Sequence, residues 1–134
     1  MHNYKKLEVW KESVNLVTKI DKLTTAFPSN EKFGLVSQIN RCAVSIPSNI
    51  AEGTGRSSKK EFSLFLGYAL ASSFELETQL IISNNLKFIS EDKKEEIINE
   101  LNIIQRKIFS LIKSLKNSTR YELLNTRYRY NGRI

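Results

Sequence analysis

Cations and aromatic rings alternate near the end of this chain. Arg120-Tyr121 and Arg127-Tyr128-Arg129-Tyr130 interleave guanidinium groups with phenol rings. Arginine forks match phosphate oxygens, and tyrosine rings stack on unpaired bases, so Arg120, Arg127, Tyr128, Arg129 and Tyr130 are candidates for nucleic-acid contact. Tyr121, Leu124 and Tyr128 also recur at helical spacing. The same segment therefore reads equally well as a short fifth helix docked by that face, with its arginines outward, or as a disordered basic tail. A second cationic group is Gly53-Thr54-Gly55-Arg56-Ser57-Ser58-Lys59-Lys60. It is glycine-rich, leads into a helix N-terminus and carries Arg56, Lys59 and Lys60. Free N–H groups at such an end can hold an anion. The segment fits neither G-x-G-x-x-G nor the P-loop pattern, and no strand precedes it, so a nucleotide-binding enzyme is not indicated. The competing reading is a plain stop-and-start loop with solvated lysines. Arg41 joins Arg56, Lys59 and Lys60 as a second candidate patch.

Catalytic and metal chemistry find few residues to use. The one histidine is His2, ahead of the first helical pattern. Di-iron bundles need Glu-x-x-His pairs, so they are excluded, as are Ser-His, Cys-His and Arg-then-His arrangements. Zinc lacks ligands as well. Cys42 stands alone between Arg41 and Ala43 and reads as a small, partly buried residue. Glu75 and Glu77, at i,i+2, point in different directions on a helix and cannot form an acid/base pair by themselves. Their expected role is structural: one pairs with Arg41 or Arg56 across helices and the other faces water. An enzyme built on Asn49, Glu52, Glu75 or Glu77 is the third-ranked reading. No catalytic residue, cofactor, metal or small-molecule substrate is assigned.

The chain has 134 residues, enough for one domain with a sizeable core. Its net charge of +7 is unevenly placed. Arg106, Lys107, Lys113, Lys116, Arg120, Arg127, Arg129 and Arg133 face one acid, Glu122, over the last stretch, which leaves the preceding body neutral. No apolar run approaches the ~20 residues of a membrane span. The polar start Met1–Lys11 has no signal-peptide core, and one cysteine makes no intrachain disulfide. The expected setting is the cytoplasm, without membrane contact.

Four amphipathic helices must position these groups. Leu7, Trp10, Val14, Val17, Ile20 and Leu23 form one stripe of a first helix over about Lys6–Ala26, which Phe27-Pro28 stops. A second helix follows a cap at Ser29 or Asn30, with Phe33, Val36, Ile39, Ala43 and Ile50 on its apolar face. Pro47 lies inside it and predicts a kink, with Ser45, Ser48 or Asn49 satisfying freed backbone groups. Gly53 and Gly55 are expected to end it through left-handed angles. Ser58…Glu61 is a capping box opening the third helix. Phe62, Phe65, Leu66, Ala69, Leu76, Leu80 and Ser83 form its face, small residues narrow its middle, and Asn84-Asn85 stop it. The fourth begins after Ser90 and carries the seam Ile97, Leu101, Ile104, Ile108, Leu111 and Leu115. The fold class is all-α: an antiparallel up-down four-helix bundle over residues 1–116, with a basic Tyr/Arg-rich C-terminal extension over 117–134. Leu16, Val44, Leu70, Ile81, Ile82 and Phe109 fall outside the single stripes. Either the stripes are wide, or a second apolar face buries against another subunit.

Leu7-Glu8-Val9-Trp10-Lys11, Phe27-Pro28, Phe33-Gly34-Leu35-Val36-Ser37-Gln38-Ile39-Asn40-Arg41 and Ala43-Val44-Ser45-Ile46-Pro47-Ser48-Asn49-Ile50-Ala51-Glu52-Gly53, then Gly55-Arg56, form a recognisable pattern. With Phe62, Phe65-Leu66, Ala69, Ser72 and Glu75-Leu76-Glu77-Thr78-Gln79-Leu80, it covers most of Leu7–Leu115. The chain closely resembles the bacterial four-helix-bundle family encoded in intervening sequences of 23S ribosomal RNA genes, often labelled "S23 ribosomal protein". The resemblance implies a homopentamer of up-down bundles with no established enzymatic activity. A distant relative, an accessory protein of diversity-generating retroelements, binds nucleic acid as a basic pentameric barrel, so the resemblance also implies RNA or DNA as a partner. Ser45, Pro47, Asn49, Glu52, Gly53, Gly55, Glu75 and Glu77 are family-motif positions read as structural. Asn40 departs from the pattern, in which a basic residue often precedes Arg41. The alternative is a structural or protein-interaction module with no nucleic-acid role.

Overall fold

The computed structural model describes residues 3–131, and side chains over residues 3–118. Four helices follow in order: α1 (Glu8–Thr24), α2 (Leu35–Thr54), α3 (Lys59–Asn85) and α4 (Glu91–Asn131), with single 3-10 turns at Tyr4–Lys6 and Ser29–Glu31. Among the described residues there is no strand. α1 packs on α2 and α4, and α3 packs on α2 and α4, so the chain follows the sides of a square that closes where the first and last helices meet. This is the expected up-down bundle.

Leu16, Ile20, Ile39, Ile46, Ile50, Leu66, Leu76, Leu80, Ile97, Leu101, Ile104 and Ile108 are fully buried at its centre. Each contributes roughly 1.5–3 kcal/mol of burial free energy. The α4 seam matches its periodicity, with Leu111 and Leu115 half-buried at the far end. On α1 the deepest positions are Val9, Ser13, Leu16, Ile20 and Thr24. The stripe read from spacing is rotated from these, and Leu7, Trp10, Val17 and Leu23 only flank the core. α1 touches two neighbours, so its buried face is wider than one stripe.

Helix starts divide by mechanism. Ser58 Oγ accepts from Glu61 N at 3.1 Å and Ser90 Oγ from Lys93 N at 3.1 Å, as the capping patterns require. α2 starts later than expected. Ser29–Glu31 is a 3-10 turn, Gly34 holds the N-cap position, and Phe33 projects at 90% exposure instead of joining the apolar face. Pro28 fixes an extended entry, and the tight turn after it delays the α-helix to Leu35.

α2 runs through Pro47 as one helix. Asn49 Nδ2 donates to Ser45 O at 2.8 Å, reinforcing the backbone beside the proline. The glycine reading is corrected. Among the described residues no glycine has a positive φ, and Gly55 is right-handed at φ −84°. Gly53 is a contact residue: a Cβ there would lie 3.0 Å from Phe65 Cβ and 3.3 Å from Phe62 Cδ1. Among the described residues the left-handed one is Lys87, at φ 63°. It ends α3 in a double-bonded turn, Phe88 N to Ser83 O and Lys87 N to Asn84 O, both 2.9 Å.

Cross-helix bonds fix the register. Asn40 Nδ2 donates to Thr24 Oγ1 at 3.1 Å, holding α2 to the end of α1. Lys19 pairs with Glu100, and Lys107 pairs with Glu12 and, at 3.5 Å, with Glu8. Glu100 and Glu12 hold the two ammonium groups above the ordinary lysine range. Phe27 and Phe88, 5.4 Å apart, close the pole formed by the α1–α2 and α3–α4 connections.

Two stability changes follow. Gly53→Ala gains helix propensity but forces α2 away from Phe62 and Phe65, for a net loss of about 1–2 kcal/mol in urea unfolding. Lys87→Gly removes a left-handed side chain and is expected to add about 0.5–1 kcal/mol, read as a rise in Tm.

Candidate nucleic-acid interface

The pole opposite Phe27 and Phe88 gathers the α2–α3 loop and the C-terminal part of α4. Lys59 Nζ donates to Ser118 Oγ at 2.7 Å, which sets the first turn of α3 beside that stretch of α4. Lys59, Lys60 and Lys116 line one groove of about 1040 Å³, together with Glu61, Ser63, Leu64, Gly67, Tyr68, Ile112 and Leu115. Its walls are aliphatic and aromatic and its rim is cationic. Arg56 stands at the same loop, its guanidinium 4.4 Å from the Phe65 ring centre, a cation–π contact that holds it over α3. Lys113 lies one turn before Lys116, 5.7 Å over Phe109. The structure therefore brings Arg56, Lys59, Lys60 and Lys116 to one end of the bundle.

Arg41 is exposed, thirteen positions before the end of α2, or about 20 Å along the axis, so it stands apart from this group. Arg120, Arg127, Tyr128, Arg129 and Tyr130 lie outside the residues whose side chains are described. The backbone of α4 continues as one helix to Asn131. At 1.5 Å per residue α4 is about 60 Å long against about 40 Å for α3, and thirteen of its residues follow Ser118.

The motif residues go chiefly to the seam between α2 and α3. Ser45 Oγ and Ser72 Oγ share a hydrogen bond at 2.8 Å, and Asn49 Nδ2 donates to Ser45 Oγ at 2.9 Å. Pro47 and Gly53 are buried, while Glu52 and Gly55 are exposed. Among the described residues neither Glu75 nor Glu77 forms an ion pair with Arg41 or Arg56; Glu75 instead meets the Cys42 thiol. Burial, and then Glu75, push that thiol up to about 11. Gln79 lies against the same thiol, with its Oε1 buried and without a hydrogen-bond partner. Among the described residues no three His, Cys, Asp or Glu side chains are grouped to hold a metal ion, and no helix is long and apolar enough to cross a membrane. A second groove, of about 450 Å³, lies between α1 and α4, lined by Lys19, Lys22, Leu23, Ala26, Lys93, Glu96 and Ile97. Lys19 and Lys93 are already paired there, with Glu100 and Glu96. Neither groove is lined by Asn49, Glu52, Glu75 or Glu77.

Sequence reasoning missed Lys116 as a partner of the loop lysines and Tyr68 as an aromatic beside them. The signal was present in Lys113 and Lys116 at the end of the α4 seam, but the antiparallel register was needed to place them. The state of Cys42 gives a direct check. At pH 8 the native thiol should react with a disulfide reagent at least 100-fold slower than in the unfolded chain, because little thiolate is present and the sulfur is buried.

A family model described as "23S rRNA-intervening sequence protein" matches residues 5–123, running past Lys116 and the end of the sequence pattern. A solved structure, of a protein of unknown function from the S23 ribosomal protein family of Bacteroides thetaiotaomicron VPI-5482, superposes with a TM-score of 0.73. It is 28% identical, over 78% of this chain and 95% of the other. No protein of curated function matches significantly. The helices, the order of their motifs and the extent of the match agree: the chain belongs to the 23S rRNA-intervening sequence protein family.

Proposed function

We propose that this chain is a non-enzymatic, homo-oligomeric bundle that binds RNA or DNA electrostatically, in an accessory role, through the pole that carries its excess charge. The observation that carries this reading is the Lys59–Ser118 contact. It seats Arg56, Lys59 and Lys60 beside Lys116 and at the root of the helical stretch whose sequence contains Arg120, Arg127 and Arg129. Cations outnumber acids there: Glu61 lines the groove, Glu52 is exposed in the last turn of α2, and Glu8 and Glu12 are engaged by Lys107. A patch with an excess of cations attracts phosphate backbones and releases their counterions. Several copies on one assembly, five by the family resemblance, would multiply a weak site through avidity. The motif carboxylates lie away from both grooves, and Asn49 is spent inside α2, which supports a non-enzymatic reading.

Binding of a structured RNA and of a DNA duplex, measured by anisotropy across salt, tests this. If three cations contact phosphates, affinity should fall by roughly 40-fold between 50 and 200 mM salt. Joint replacement of Lys60, Lys116 and Arg120 by alanine should flatten that slope, whereas Arg41→Ala should leave it unchanged. Negligible affinity for both nucleic acids at 50 mM salt would exclude the reading and leave a purely structural or protein-interaction module.

A further inference from the structure

Gly67 occupies the middle of α3, where glycine is a costly choice. Its φ is not positive, so no backbone angle selects it. A Cβ built there meets nothing within 4 Å, in contrast to Gly53. The missing side chain therefore leaves open space, and that space belongs to the cationic groove, which Gly67 lines together with Tyr68. Tyr68 stands beside the gap at 49% exposure. Its ring is braced: it meets the Phe65 ring edge-on at 5.5 Å, and Phe65 in turn carries the Arg56 guanidinium. A ring already held in place loses little freedom when something stacks on it.

The groove is divided along its length. Its charged lining residues, Lys59, Lys60, Glu61 and Lys116, all lie at the pole, since Lys116 is two residues before the Lys59–Ser118 contact. Tyr68 is eight residues past Lys60, about 12 Å further along α3. The walls there are Leu64 and Tyr68 on one side and Ile112 on the other. Phe109 precedes Ile112 and Lys116 by three and seven residues and so continues their face of α4. Counting back from Ser118 sets it level with Tyr68, and it too is half exposed, with Lys113 over its ring. One end is thus cationic, and the other offers aromatic rings.

A nucleotide has the same two parts, an anionic phosphate and a flat base with a π-face. Aromatic side chains take the faces of unpaired bases. In a duplex those faces are stacked on neighbouring pairs, and extruding one costs stacking energy. We infer that the groove takes a single-stranded segment of nucleic acid, with an unpaired base on Tyr68 in the gap at Gly67 and neighbouring phosphates at Lys60 and Lys116. A purely apolar segment would leave the cations at the pole unmatched, whereas a polynucleotide matches both ends. Few hydrogen-bonding groups line the aromatic end, so the base is held by its face and its identity matters little. The inference rests on the nucleic-acid part of the proposed function and names the class of strand bound.

The test is anisotropy at low salt with the full-length chain and labelled strands of roughly 12 units. The strands are oligouridine, oligothymidine and an abasic phosphodiester of the same charge, with a duplex of the same length beside them. A base-bearing single strand should bind about 10-fold tighter than the abasic strand. A preference in either the ribose or the deoxyribose strand supports the slot, and the tighter of the two names the source. Tyr68→Ala removes the ring, and Gly67→Leu fills the gap without a clash inside the protomer. Both should keep their helical circular dichroism and bring the ratio of base-bearing to abasic affinity close to one, while Tyr68→Phe, which keeps a ring, should hold the preference. Salt-dependent binding in which the abasic strand and the duplex match the base-bearing strands would overturn the base slot alone and leave the electrostatic reading intact. A preference that survives both Tyr68→Ala and Gly67→Leu would also overturn it, by placing the base contact elsewhere. Absence of binding to every strand overturns both readings and leaves the apolar walls to a protein partner.

Discussion

The close approach of α2 to α3 is the constraint on which the other contacts depend. At one end Gly53 lets the α2 backbone rest on Phe62 and Phe65. In the middle Ser45 and Ser72 bond directly, which places the two helices within reach of short side chains. Ala43 and Ala69 are both buried. With so little side-chain volume between them, the helices can take few relative positions, since packed interiors tolerate neither voids nor overlap. The family motif Ser45–Gly53 is therefore legible as a packing instruction, with Asn49 securing the backbone beside Pro47.

Fixing α2 against α3 decides where the remaining elements stand. Asn40 ties α1 to α2, and Lys19 and Lys107 tie α1 to α4. These exposed pairs contribute little stability and act mainly on register. The α2–α3 loop is short, so Arg56, Lys59 and Lys60 cannot stray from the pole where α4 passes. The charge at the end of the sequence and the charge in its middle thus meet because two antiparallel helices share one level at Lys59 and Ser118.

Local chemistry was readable from the sequence. Ser58 and Ser90 cap because a hydroxyl at that position serves the free N–H groups whatever surrounds the helix. The α4 seam was readable because a long helix in a bundle keeps one face inward. Features set by neighbours were not. Gly53 looked like a helix stop, since a glycine that ends a helix and one that admits a phenylalanine have the same sequence signature. The left-handed Lys87 carried no signal, because the turn imposes its angle and the residue type does not advertise it. Phe33 looked like a core residue by spacing, but the Pro28 turn moved the start of α2 past it. Of the candidate site, the loop cations and the basic end were visible separately. Their union, and the distance of Arg41 from it, depended on register.

The single tryptophan has a consequence for observing the molecule. Trp10 lies in the first turn of α1, edge-on to Tyr4 at 5.1 Å, and the turn that holds Tyr4 packs against α2. The indole is half-buried at the cationic pole, whereas the opposite pole is closed by two phenylalanines, Phe27 and Phe88. Intrinsic fluorescence excited at the red edge of protein absorption therefore comes from one end of the bundle only. The chain carries its own optical reporter where polyanions are proposed to land, and the other end stays dark.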